Sequence, residues 1–248
     1  MSFAVELTNI KKQYKGSWSP ALNGLSLSVK ENTITGLLGP NGAGKTTSIN
    51  IICGLVDADE GIATVFGKNC STEKDDIRSM IGVVPQQIAL FGNLTAWENY
   101  HYIGKLYGLS LTQIKQRATP LLERLGLTKH ADKRINHYSG GMKRRANIIA
   151  SLLHDPKLLI LDEPTAGVDV QSRAMIHEFL EEYHAMHKTI LYTSHHLEEA
   201  EGLCEEVVIV DEGKYILSGT PKELINATQE ANSLEEVFLH YTGHRLRD

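Results

Sequence analysis

Cysteine is scarce in this chain, long apolar stretches are missing, and positive charge is not in excess. The three cysteines, Cys53, Cys70 and Cys204, are an odd, scattered set with no Cys-x-x-Cys pair. That pattern argues against a disulfide scaffold or a structural zinc, and it fits a reducing compartment. Apolar runs such as Leu158–Leu161 are far too short to span a bilayer. The opening Met1-Ser2-Phe3-Ala4-Val5-Glu6 has no basic segment leading into an apolar one, so no secretory signal is expected. Lys and Arg number 25 against 30 Asp and Glu, a formal net charge of −5. A sequence-independent grip on nucleic acid is therefore not expected. The sequence also has no internal repeat, low-complexity stretch or Gly/Pro-rich linker.

What is there is an ordinary globular composition over 248 residues, 42% hydrophobic and 22% charged. That suits one large domain or a core domain with an inserted subdomain. Short β-like runs come first: Ala4–Leu7, Leu25–Val29, Ile34–Leu38 and Ile62–Phe66, interrupted by a helix from Lys45 to about Gly54. Helical spacing dominates from about Ala89 to Asp155. Thr95-x-x-Glu98 reads as a capping box opening a helix with Tyr100, Ile103, Leu106 and Tyr107. A second helix from near Ser139 carries Ala146, Ile149, Ala150 and Leu153 on one face. Strands return at Leu158–Leu161, Thr189–Thr193 and Val207–Val210, the last pairing with Lys214–Leu217 across Asp211-Glu212-Gly213. Thr220-Pro221-Lys222-Glu223 and Ser233-x-x-Glu236 read as helix starts. Strands alternating with helices predict a parallel α/β core with a helical insertion.

Gly39-Pro40-Asn41-Gly42-Ala43-Gly44-Lys45-Thr46-Thr47 fits G-x-x-x-x-G-K-[ST], after an apolar strand and opening a helix. Glycines let successive amides curl round an anion, and the helix N-terminus adds its dipole. Lys45 is expected to reach the β- and γ-phosphates of a nucleoside triphosphate, and the Thr46 hydroxyl to ligate Mg²⁺. The loop alone does not separate kinase, GTPase and ATPase, but no guanine-reading Asn-Lys-x-Asp is evident. Asp162-Glu163 ends the apolar run Leu158–Leu161. Asp162 is expected to hold Mg²⁺ through water and Glu163 to polarise the attacking water. Ser139-Gly140-Gly141 at a helix start is a second anion site, with Ser139 as cap and hydroxyl donor. One triphosphate rarely needs two such sites, so the second is expected to complete a nucleotide held by another copy. Taken singly, His195 would pass as an ordinary strand-end histidine and Gln86 as a loop residue.

In this order and spacing, Gly39–Thr47, Gln86, Ser139–Gly141, Asp162-Glu163, Asp169 and His195 resemble the ATP-binding subunit of an ABC transporter over nearly the whole chain. The resemblance implies a P-loop NTPase core with a parallel sheet, an N-terminal antiparallel β subdomain and an inserted helical subdomain. Its boundaries would be 1–86 and 157–220 for the core with the β subdomain, 87–156 for the helical subdomain and 221–248 for a C-terminal helical tail. It implies a dimer around ATP in which Ser139 and Gly141 of one subunit close over the γ-phosphate held by the other, with Asp169 at the seam. It further implies Gln86 as a metal and water contact that senses the membrane partner, and His195 as a γ-phosphate contact. Tyr14 matches the adenine-stacking aromatic, with Trp18 as its rival.

Leu94–Asn99, Tyr138–Arg145 and Leu234–Leu239 resemble the daunorubicin-resistance branch, whose partners export drugs, lipids or polysaccharides. Tyr138 and Met142 depart from the commonest family form, and His195-His196 doubles the histidine. The implied partners are a second ATP-binding subunit and a transmembrane permease at the cytoplasmic face of the cell membrane, with no nucleic acid. Part of the segment from about Ile88 to Tyr107 is expected to receive a cytoplasmic helix of that permease, with Phe91 and Trp97 as exposed candidates. A soluble ATPase acting as an assembly scaffold is the alternative. A chromosome-associated ATPase would need a coiled-coil or zinc insertion, which the sequence lacks. A kinase would leave Ser139–Gly141 unexplained.

Overall fold

The computed structural model describes residues 2–243, so the last five residues of the expected C-terminal tail lie outside the described residues. The chain divides into two compact units, residues 2–78 with 188–243, and residues 79–187. Along the chain the elements are β1 (Phe3–Lys12), β2 (Leu22–Lys30), β3 (Ile34–Leu38), α1 (Lys45–Ile52), β4 (Glu60–Val65), β5 (Lys68–Asn69) and α2 (Lys74–Met80). Next come β6 (Ile81–Val84), α3 (Ala96–Leu106), α4 (Leu111–Arg124), α5 (Gly140–Leu152), β7 (Leu158–Asp162) and α6 (Val170–Ala185). Last are β8 (Thr189–Ser194), α7 (Leu197–Leu203), β9 (Glu206–Asp211), β10 (Lys214–Gly219), α8 (Pro221–Ala227) and α9 (Leu234–Thr242).

In the first unit, β2, β1, β4 and β5 form an antiparallel sheet. Leu22, Leu25, Leu27 and Val29 of β2 are buried and alternate with more accessible positions, the pattern of a sheet with one face on a core. A second group runs β10-β9-β3-β8, with β3 parallel to both β8 and β9 and the β9–β10 hairpin antiparallel. All five residues of β3 are buried, as expected for a strand covered on both faces. Leu38 pairs with Ser194 on one side and Ile209 on the other. The chain after β3 and the chain after β8 therefore emerge at the same sheet end.

In the second unit, β6 and β7 pair in parallel, from Ile81 opposite Leu158 to Val84 opposite Leu161. Pro85-Gln86, after β6, and Asp162-Glu163, at the close of β7, therefore lie at a common end. Leu158–Leu161 are wholly buried, each such side chain contributing ~1.5–3 kcal/mol relative to exposure. The capping box at Thr95 and Glu98 opens α3, Ser110 and Gln113 form another before α4, and Ser139 caps α5. The α/β class expected from the sequence stands, with one antiparallel sheet and mostly parallel pairing elsewhere.

The helix expected after Thr95 is present, and only part of its apolar set is buried. Tyr100 is fully buried, but Leu106 and Tyr107 are exposed, and α3 ends at Leu106 with Tyr107 as its C-cap. The buried stripe is Ala96, Asn99, Tyr100 and Gly104. A Cβ at residue 104 would lie 2.5 Å from Ile114 Cγ1, so α4 approaches closest where the side chain is smallest. The sequence reading also passed over α6 and α7 as separate helices.

Candidate nucleotide site

The loop Gly39–Thr47 joins β3 to α1 in the first unit. Gly44, the residue before α1, has φ +103, and a Cβ there would lie 2.6 Å from Leu22 Cδ2 and 2.7 Å from Ala21 O. Glycine alone meets both demands, the left-handed backbone and the bedding of the loop on the start of β2. The Lys45 ammonium is buried and donates to the carbonyl oxygens of Gly39 at 2.7 Å and Pro40 at 3.0 Å. Its charge is thus folded back onto its own loop. The start of α1 has no side-chain cap and no acidic residue in its first turn, which leaves amide donors and dipole to an anion. Asn41, Gly42 and Thr46 are exposed, while Pro40 and Ala43 are buried.

His195 follows β8 directly, beyond the pairing of Leu38 with Ser194, and so lies at the sheet end that carries the loop. His195 is half-buried and His196 exposed, their rings 4.0 Å apart. Tyr14 and Trp18 lie in the β1–β2 connection, whose last residues touch the loop at Gly44. Tyr14 is 41% exposed, with the Lys12 ammonium 6.0 Å from its ring centroid, and Trp18 is fully exposed. Both aromatics are thus accessible for stacking.

In the second unit, Asp162 ends β7 and Glu163 follows with φ +48, an uncommon conformation for a residue with a Cβ. Both are buried. The Gln86 side-chain amide donates to Glu163 Oε2 at 3.0 Å. Ser139 caps α5 by accepting from Met142 N at 3.3 Å, and the first turn of α5 carries no acidic residue. Ser139 and Gly140 are exposed, whereas Gly141 is buried. A Cβ at 141 would collide with Ser172 Oγ and lie 3.0 Å from Asp169 Oδ2. The sequence reading assigned Gly141 only an amide; its missing side chain also admits the start of α6. Asp169 caps α6, accepting from Ser172 N at 2.9 Å, and that bond holds its carboxyl below the ordinary range. Tyr138, a departure from the commonest form, is a buried ring whose hydroxyl donates to His130 O at 2.7 Å.

Two residues in this unit escaped the sequence reading. Arg144 is 5% exposed and donates from its two terminal nitrogens to the Pro85 and Gln86 carbonyls, each at 2.8 Å. Burial lowers its basicity, and the carboxylates of Asp162 and Glu163 oppose that effect. Asn99 is wholly buried; it accepts from Phe91 N at 2.8 Å and donates to Phe91 O at 3.1 Å and Thr95 O at 2.8 Å. It orders the turn that follows Gln86. Both lie in segments that carry the branch resemblance, Leu94–Asn99 and Tyr138–Arg145, where neither residue was given a role.

A phosphate-type loop opening α1, a Ser-capped glycine start of α5 and two strand-end acids define a P-loop ATPase cassette. The family described as ABC transporter matches residues 22–166. The chain belongs to this family and is an ATP-binding, ATP-hydrolysing cassette. It is 47% identical to the linearmycin resistance ATP-binding protein LnrL of Bacillus subtilis strain 168, over 89% of this chain and 70% of that protein. It is 40% identical to the Nod factor export ATP-binding protein I of Paraburkholderia xenovorans strain LB400, over 95% of this chain and 76% of that protein. Among solved structures it matches an ATP-binding subunit of an ABC transporter with TM-score 0.87 and 28% identity, covering 96% of this chain and 99% of the other. It also matches a dimeric post-hydrolysis cassette bound to ADP and phosphate, with TM-score 0.79 and 27% identity over 87% and 98% of the two chains.

Proposed function

We propose that this chain pairs with a second ATP-binding subunit and drives export through a separate transmembrane permease, on the cytoplasmic face of the cell membrane. Two relatives named for resistance and for export support that direction, and the assembly-scaffold reading has no comparable support. No described helix is long and apolar enough to cross a membrane. The cargo is taken to be a drug, lipid or polysaccharide, in keeping with the branch resemblance.

Gly39–Thr47 cradles the triphosphate, Lys45 neutralises its β- and γ-phosphates, and Tyr14 stacks on adenine. The donors offered to Mg²⁺ are the Thr46 hydroxyl, the Asp162 carboxylate and the Gln86 amide oxygen, all hard oxygens suited to that ion. Among the described residues no group of three or more His, Cys, Asp or Glu could hold a metal. When bound, Mg²⁺ would neutralise charge on the phosphate oxygens. Glu163 orients a water in line with the γ-phosphorus and takes up its proton as the new P–O bond forms and the bond to the bridging oxygen breaks. His195 contacts the γ-phosphate. Ser139, Gly140 and Gly141 close over the nucleotide held by the other subunit.

The observation that supports the hydrolytic roles is the Gln86–Glu163 hydrogen bond, which puts two residues of the expected set in direct contact; the export role rests on the relatives named for resistance and export. For the permease, Phe91 is 51% exposed and stands edge-on to the exposed Tyr102, ring centroids 5.1 Å apart. Trp97 is half-buried, edge-on to Tyr100. We assign the Phe91–Tyr102 pair to a cytoplasmic helix of the permease. The test is a pulldown of the tagged chain from detergent-solubilised native membranes, with partners identified by mass spectrometry. Stoichiometric recovery of a polytopic membrane protein is expected; soluble partners alone would favour the scaffold.

A further inference from the structure

Arg144 is a long cation buried at the middle of α5, and both of its terminal nitrogens are spent on the backbone that carries Gln86. Its Nε has no hydrogen-bond partner among the described residues. A buried guanidinium with a donor left over is a poor device for stability alone, since an apolar side chain of similar volume serves a core as well. The segment it grips lies at the surface, with Gln86 and Gln87 exposed. Its own helix, by contrast, is closely fixed to β6. A Cβ at Gly82 would collide with Ser151 O and lie 2.8 Å from Pro156 Cγ, so α5 sits directly on the strand that leads into Pro85 and Gln86.

We infer that Arg144 is a positioning residue for hydrolysis: its two bonds to the Pro85 and Gln86 carbonyls set the backbone from which the Gln86 amide reaches Glu163. The inference rests on the reading of Glu163 as the residue that orients water. The chain of contacts is short. Arg144 holds the carbonyls at 2.8 Å, and the Gln86 amide holds one Glu163 oxygen at 3.0 Å. Ser139 caps the same helix that bears Arg144. A displacement of the α5 start therefore acts on the Glu163 carboxylate through Arg144. The device needs a fork of two donors at fixed spacing, which arginine has and lysine lacks.

The experiment is a double-mutant cycle in kcat between Arg144→Ala and Gln86→Ala in the purified full chain, with ATP affinity measured separately. Arg144→Ala is expected to lower kcat about tenfold to a hundredfold, the cost of misplacing a reacting group by about 1 Å. ATP affinity should stay within about twofold of wild type, the usual limit for independent sites. The double variant should be no slower than the slower single, because both remove one link. Arg144→Lys should fall between wild type and Arg144→Ala, and it carries the cycle if the alanine variant does not fold. Wild-type kcat in Arg144→Lys, or effects that multiply in the double variant, would overturn the inference. Glu163→Gln in the same assay separates the two levels. If it turns over normally, the reading of Glu163 fails; if it is silent while the other effects multiply, only the role of Arg144 fails.

Discussion

The Gln86 amide donates to Glu163 Oε2 across 3.0 Å, joining residues that follow two parallel strands and lie 77 positions apart. The bond fixes one oxygen of the carboxylate proposed as the general base. Glu163→Gln is expected to lower ATP turnover by about 10²–10⁴-fold, the range for loss of a general base. ATP binding should persist, and size-exclusion chromatography with ATP should show an accumulating dimer. Turnover at the wild-type rate would refute the assignment.

Lys45 is buried and bonded to its own loop, so its removal should be felt in binding rather than in fold class. Lys45→Ala is expected to weaken ATP about tenfold to a hundredfold, from the ~1.5–3 kcal/mol of a hydrogen bond to a charged group. Isothermal titration calorimetry checks this; unchanged affinity would remove Lys45 from the phosphate site.

The two glycines after Ser139 should respond differently to a methyl group. A Cβ at 141 collides with Ser172 Oγ, whereas the nearest atom to one at 140 is Gly167 O at 3.9 Å. Gly141→Ala is expected to destabilise the fold by ~1–3 kcal/mol, the usual cost of overpacking. Gly140→Ala should leave thermal stability near wild type. Equal melting temperatures for the two variants would contradict the packing of α5 on α6.

Phe91 tests the permease contact. Its ring is half in solvent while the nearby Asn99 carries the turn. Phe91→Ser is expected to abolish transport in reconstituted vesicles with basal ATPase unchanged. Collapse of hydrolysis as well would make Phe91 a structural residue. Trp97 is the less suitable probe, since it is half-buried against Tyr100.

The cysteines supply a pH prediction. Burial pushes the Cys70 thiol up to about 11, and burial with the Glu205 carboxylate pushes Cys204 up to about 12. An unfolded thiol ionises near 9.0. The unfolded state thus loses its protons first, and the stability these thiols contribute is present below about pH 9 and falls as pH rises toward 11–12. Urea titrations from pH 8 to 10.5 should show a declining midpoint that flattens when Cys70 and Cys204 are replaced by alanine. Native thiols should also react slowly with a thiol reagent at pH 7.5, and all three should react after denaturation.

Local chemistry was legible along the chain, and long-range packing was not. The loop at Gly39–Thr47, the capping pairs Thr95–Glu98 and Thr220–Glu223, and the buried run before Asp162 each act within a few residues, where spacing determines geometry. On α3, Leu106 and Tyr107 continue the apolar period in sequence yet are exposed, while Gly104 receives α4 in space. The apolar runs Ile34–Leu38 and Leu158–Leu161 marked β3 and β7 as strands. That Leu38 lies opposite Ser194, and Val84 opposite Leu161, came only from the folded sheet.

What the sequence determined by itself was therefore the class of chemistry, since phosphate binding needs a contiguous loop of amides and one lysine. Which residues steer that chemistry was decided by tertiary structure. Arg144 and Asn99 carry ordinary polar side chains whose roles arise from burial beside backbone carbonyls and amides distant in sequence. A hydrogen bond between such groups has value only once water is excluded, and exclusion is a property of the packed fold.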